Sequence, residues 1–116
     1  MRIAVGYDEG KVHGHLGSTK QFKLYLVEND KVVKTQIVGT DGARHGQIAY
    51  FLHDLAVDTV ITGGMGYNMK QKFDTMQMDY YSDVSGDADE AVEDLLLDKL
   101  NYDNSKIIHH HHLPDL

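Results

Sequence analysis

His13 and His15 stand one residue apart in a glycine-rich stretch. On an extended loop that spacing turns both imidazoles to one side, as a transition metal requires. Two imidazoles do not make a site by themselves. His45, next to Arg44 at the expected start of a helix, is a better third ligand than His53, which falls mid-helix beside Leu52 and reads as a partly buried structural residue. Solvated loop histidines beside glycines explain the same pattern without a metal. A second constellation is Gly63-Gly64-Met65-Gly66, where glycines let backbone N–H groups approach an anion at a helix N-terminus. Its spacing is neither that of a P-loop nor the full dinucleotide fingerprint, and a tight strand-to-helix turn with no ligand accounts for it equally. Asp8, ending an apolar run, offers a third chemistry, the carboxylate of a metal-dependent hydrolase. Ser18, Ser82 and Ser85 have no nucleophile-elbow context, and no His-Glu-x-x-His motif occurs.

These residues need elements to hold them. Ile3, Ala4, Val5 and Tyr7 form a short apolar run without clean alternation, which suits a central strand covered on both faces. After a glycine-rich stretch, residues 22–27 and 32–38 read as two strands joined at Asn29-Asp30, an antiparallel hairpin. The period then changes: Ile48, Phe51, Leu52, Leu55 and Ala56 predict a helix over about 45–57. Thr59–Thr62 is a short strand leading into the glycine loop, and Met65, Met69, Phe73 and Met76 again have helical spacing. That methionine stripe reads as core, since methionine fills irregular gaps. Residues 78–81 form another strand, and Asp87 with Glu90 opens a third helix as a capping box, with Ala88, Ala91, Val92, Leu95, Leu96 and Leu100 on its apolar stripe. The order β-β-β-α-β-α-β-α predicts an α/β fold with a mixed five-stranded sheet and helices on both faces. Ligands in such sheets sit beyond the carboxyl ends of the parallel strands. The loops at 8–15, 63–66 and 82–86, with Arg44 and His45, are expected to form that mouth.

A chain of 116 residues has room for one domain, placed here at residues 1–100, with 101–116 as a tail. Its formal charge of −7 is the wrong sign for a protein that neutralises phosphates, so nucleic acid is not the expected partner and Asp8 hydrolysis of phosphodiesters is disfavoured. No apolar run approaches the ~20 residues of a spanning helix, and the opening MRIAVGYDEG does not read as a signal peptide, so a cytoplasmic location is the expectation. With no cysteine, thiolate ligands and disulfides are excluded, and a soft metal would rely on His and Met.

Four segments, MRIAVGYDEG, VHGHLGSTKQFKLYLVEN, VDTVITGGMGYNM and SGDADEAVEDLL, appear in the order and spacing of the dinitrogenase iron–molybdenum cofactor biosynthesis proteins of the NifX-like type, and the chain resembles that family over about residues 1–100. The resemblance implies a ribonuclease H-like α/β fold without the nuclease carboxylates. It also implies a non-enzymatic role in binding or carrying an iron–sulfur or iron–molybdenum cluster precursor between donor and acceptor proteins. His15 matches the histidine of the family's His-Phe-Gly element, with Leu16 in place of Phe, and His45 falls where members often carry a histidine near the first helix. On this reading His15 is the leading metal ligand, His13 and His45 are helpers, and the backbone of Gly63, Gly64 and Gly66 supplies hydrogen bonds. A small-molecule or interaction module that has kept the fold and lost the cluster is the first alternative, and a hydrolase using Asp8 the second. Of the eight histidines, His109–His112 form a run in the tail that reads either as a cloning remnant or as a weak site for divalent metal. The pattern selects no oligomeric state.

Overall fold

The computed structural model describes residues 1–107, and His109–His112 lie outside the described residues. The elements run β1 (Arg2–Asp8), β2 (Lys11–Val12), β3 (Gln21–Glu28), β4 (Lys31–Gly39), α1 (Gly46–Asp54), β5 (Thr59–Ile61), α2 (Tyr67–Thr75), β6 (Asp79–Tyr81) and α3 (Ala88–Leu96). The sheet order is β4-β3-β1-β5-β6, with β2 paired to the end of β1 off that path. β1 runs antiparallel to β3 and parallel to β5, and β6 extends the parallel half. The fold is therefore mixed α/β, with six strands rather than the expected five.

The extra strand is β2. Glu9 (φ 47°) and Gly10 (φ 90°) make a tight two-residue turn that folds Lys11 back onto Asp8. Asn29 and Asp30, both at positive φ, do the same between β3 and β4. Paired left-handed residues twist a turn in the sense that flanking strands need.

Alternation along β1 sorts the core into two layers. Ala4 packs with Ile48, Ala49 and Leu52 of α1 and with Met69 and Phe73 of α2. Ile3 and Val5 point the other way, against Ala88, Ala91 and Val92 of α3. Helices thus cover both faces, which is why β1 carries an unbroken apolar run. The methionine stripe is core as expected, with Met65, Met69 and Phe73 buried. His53 is exposed rather than partly buried, because α1 turns it away from the face that holds Leu52.

Each helix stops short of its apolar pattern, and for the same reason. Ala56, Gln77 and Asp98 adopt φ near 60°, and the next residue donates back across the last turn: Val57 to Leu52, Met78 to Phe73 and Lys99 to Asp94. These are Schellman closures built without glycine. At the other end of α3 the expected cap is present, Asp87 accepting from the Glu90 N–H at 2.9 Å.

Residues 101–107 do not leave the domain. Asn104 accepts from the Ser82 N–H (2.9 Å) and donates to the Tyr80 carbonyl (3.2 Å), giving the open edge of β6 partners of the kind a further strand would supply. Ile107 is buried in the α1–α2 core layer. Among the described residues, no helix is long and apolar enough to cross a membrane.

Candidate functional site

The loop after β2 is threaded alongside the loop after β5. Gly63 N–H donates to His13 (3.2 Å), Gly64 N–H to Gly14 (2.7 Å), and Leu16 N–H back to Gly64 (2.9 Å), a stretch of parallel pairing beyond the sheet proper. The approach is so close that a Cβ on Gly63 would lie 2.5 Å from the Gly14 carbonyl oxygen. Gly63 is glycine because two backbones meet there. A 3₁₀ turn over Leu16–Ser18 then brings Gly17 under the start of α1, where its carbonyl accepts from the His45 N–H at 3.0 Å. Arg44 to Gln47 form a turn closed by the Gln47 N–H on the Arg44 carbonyl (3.1 Å), while the Gln47 side chain accepts from the Arg44 N–H (3.2 Å). His45 is the first central residue of that turn, at φ 51° and ψ −126°, a type II′ position that glycine normally fills.

These pieces enclose a groove of about 640 Å³. His15, Ser18 and His45 line it from the loops, Gly46 and Gly66 from the first residues around α1 and α2, and Asn68 and Lys72 from α2. Leu16, Met65 and Met69 supply its apolar floor. Three basic side chains on this groove each stand against a glycine: a Cβ would come 3.4 Å from His15 Nδ1 at Gly64, 2.9 Å from His45 Nδ1 at Gly17, and 2.8 Å from Lys72 Cε at Gly46. Neither α1 nor α2 has a side-chain cap on its first N–H groups. Helix ends of this kind carry partial positive charge, so the groove wall is locally electropositive although the chain is acidic.

A profile of the family described as dinitrogenase iron–molybdenum cofactor matches residues 1–98. The chain belongs to the dinitrogenase iron–molybdenum cofactor family. No curated protein matches it. Among solved structures, the crystal structure of PH0822 superposes with a TM-score of 0.84 at 22% identity, covering 90% of this chain and 96% of that one. The apo form of the orange protein from Desulfovibrio gigas gives 0.75 at 20% identity, covering 89% and 92%. The mj0327 protein of Methanocaldococcus jannaschii gives 0.73 at 17%, covering 90% and 95%. At these identities the likeness speaks for the fold.

Within this family fold, the residues singled out in the sequence divide. His15, His45, Gly64 and Gly66 line one groove. His13 turns aside, its Nε2 3.2 Å from Ser18 Oγ, and Gly63 serves the backbone crossing. The loop at 82–86, expected at the mouth, lies behind it: Asp83 and Val84 donate to Gly63 and Thr62, and Gly86 accepts from Val12. Asp8 sits at the β1–β2 turn and does not line the groove. Among the described residues, no group of three His, Asp or Glu side chains is placed to hold a metal ion. Lys72 was not anticipated. Its signal was there, since residues 65, 68, 69 and 72 follow the i, i+3, i+4, i+7 spacing of one helix face.

The shifted titrating groups belong to the frame and not to the groove. On the α3 side, Asp89 accepts from Lys23 Nζ (2.8 Å) and from the Tyr25 hydroxyl (2.6 Å). Lys23 and then Tyr25 hold the Asp89 carboxyl below the usual carboxylate range. Burial first, and the bond to Asp89 second, push the Tyr25 hydroxyl well up, so Tyr25 stays a neutral donor.

Proposed function

We propose that this protein binds an anionic metal–sulfur cluster or cluster precursor as cargo in the groove between the starts of α1 and α2, and passes it on without catalysing a reaction of its own. The observation that carries the reading is the convergence of His15 and His45 with two uncapped helix starts on one groove, in a chain of this family. His15 is the principal imidazole contact, His45 the second, and His13 a helper through Ser18. The Gly64 N–H is spent on the Gly14 carbonyl, so the backbone at the start of α2, beside Gly66, completes the cradle. The apolar floor of Leu16, Met65 and Met69 suits sulfide, a soft and weak hydrogen-bond acceptor, better than it suits a hydrated oxyanion. Partners on this reading are a cluster donor and a cluster acceptor in the cytoplasm, and the fold is the ribonuclease H-like scaffold put to carriage.

A second reading is favoured by one observation, the want of a three-ligand group among the described residues: the groove then holds an organic ligand or partner and no cluster. Anaerobic titration with tetrathiomolybdate, followed by absorbance, tests the first reading. The wild type is expected to bind one anion and His15→Ala to bind more weakly; equal binding by the two removes His15 from the site. Native mass spectrometry of freshly isolated protein separates the readings, because a bound organic molecule in place of metal favours the second.

A further inference from the structure

Lys72 lies in the second turn of α2, half-buried, yet it reaches the groove at the start of α1. It does so because position 46 carries no side chain: its Cε occupies the space that a Cβ at Gly46 would need, at 2.8 Å. Beyond that notch, Nζ stands 5.4 Å from the centre of the Tyr50 ring, whose side chain is exposed. Three of the nine lysines are ion-paired, Lys23 with Asp89, Lys70 with Asp74 and Lys106 with Asp83, and of the remaining six only Lys72 lines the groove. Lys72 has no carboxylate within ion-pair distance among the described residues, and the groove it lines has no Asp or Glu in its wall. The ring of Tyr50 is the weakest kind of partner for an ammonium. An anion in the groove offers a stronger one, at a cost of only side-chain rotation about a flexible stem.

From this arrangement we infer that Lys72 is the recognition arm of the groove: it rests on Tyr50 when the groove is free and swings over Gly46 to pair with the negative charge of the cargo. The inference rests on the anionic character of the cargo proposed above and not on its metal or sulfur content. Specificity then divides between two parts of the wall. Lys72 reads charge, and the methionine-lined floor reads softness.

The test compares tetrathiomolybdate with molybdate, tetrahedral dianions that differ in sulfur against oxygen, by equilibrium dialysis at low ionic strength and at about 0.15 M salt. Lys72→Met is expected to weaken thiomolybdate binding roughly tenfold at low salt, about 1.4 kcal/mol, and to flatten the salt dependence. Lys72→Arg keeps the charge and should stay close to wild type. Gly46→Ala leaves the lysine in place but displaces its stem, and should fall between the two. Circular dichroism confirms that each variant is folded. Thiomolybdate binding by Lys72→Met with wild-type affinity and salt dependence overturns the inference, and leaves the cluster reading intact if His15→Ala still loses binding. Lys72-dependent binding of molybdate without binding of thiomolybdate supports the arm and overturns the metal–sulfur reading. Binding of neither anion by the wild type overturns both.

Discussion

His45 pays a conformational cost to stand where it does, and replacing it with glycine should make the protein more stable and a poorer binder at once. At φ 51° and ψ −126° a residue with a Cβ is held in a region that costs about 1–3 kcal/mol. Glycine removes that strain but loses about 0.5–1 kcal/mol through the greater freedom of its unfolded chain. The imidazole is exposed and its ring makes no hydrogen bond among the described residues, so little else is given up. The net expectation for His45→Gly is a gain of about 1 kcal/mol, which for a chain of this length raises Tm by roughly 4 °C. The same variant removes one imidazole from the groove, and tetrathiomolybdate binding should weaken roughly ten- to a hundredfold, the worth of one hydrogen bond to a charged group. His45→Ala separates the effects, because alanine keeps the strain and loses the ring: its Tm should stay near wild type while binding falls. Thermal unfolding by circular dichroism and dialysis binding supply both numbers. A His45→Gly protein that melts lower than wild type refutes the strain argument, and one that binds equally well refutes a role for the ring.

Three further outcomes follow from the frame. Ala56→Gly and Asp98→Gly relieve left-handed residues at helix ends, and each should stabilise by about 0.5–1 kcal/mol in urea melts, additively because they close different helices. Asp89→Ala leaves the buried Tyr25 hydroxyl without its acceptor and should cost about 1–3 kcal/mol. In the wild type, unfolding frees Asp89 to take up a proton at the ordinary carboxylate value of about 3.9. Its stabilisation is therefore complete above that pH and drains as pH falls through the lower folded value, and an acid titration of Asp89→Ala should be flatter there than that of the wild type. The exposure of the Asp89 carboxylate, 62%, keeps this pH-linked part to within about 1 kcal/mol. Finally, Thr62 is fully buried and its hydroxyl has no partner among the described residues, so Thr62→Val should be neutral or stabilising by up to about 1 kcal/mol, and a loss would reveal a hidden partner.

Periodicity made most of the fold legible. The apolar run of β1, the hairpin at Asn29-Asp30 and the stripes of all three helices are patterns that burial enforces, and they survive in the structure. Helix ends were less legible because their stop signals are conformational: Ala56, Gln77 and Asp98 take the left-handed shape without the glycine that would have announced it. The two residues of β2 are too few for any period, and only Glu9-Gly10 betrayed the hairpin. Asn104 lies in a stretch with no periodicity at all, and its role depends on a sheet edge that the chain left over 20 residues earlier.

The site was legible as residue types and hidden as geometry, and the glycine loop shows why. Gly63 and Gly64 are neighbours with the same apparent use, yet the first has a backbone where a side chain would go and the second has room for a Cβ beside the His15 ring. A Cβ at 63 meets the Gly14 carbonyl oxygen at 2.5 Å, and neither backbone can retreat without breaking the bonds that join the two loops. A Cβ at 64 meets the His15 ring at 3.4 Å and the same carbonyl oxygen at 3.5 Å, ordinary contacts that need no backbone to move. Gly63→Ala should therefore cost about 3 kcal/mol or more, in the range of severe backbone and packing errors, and lower both Tm and binding. Gly64→Ala should leave stability within about 0.5 kcal/mol of wild type and shift only the imidazole, seen as a change in His15 ring resonances and a weaker thiomolybdate affinity. Equal destabilisation by the two variants would mean that the loops move as one body, and that the separation of scaffold from ligand contact within this motif is wrong.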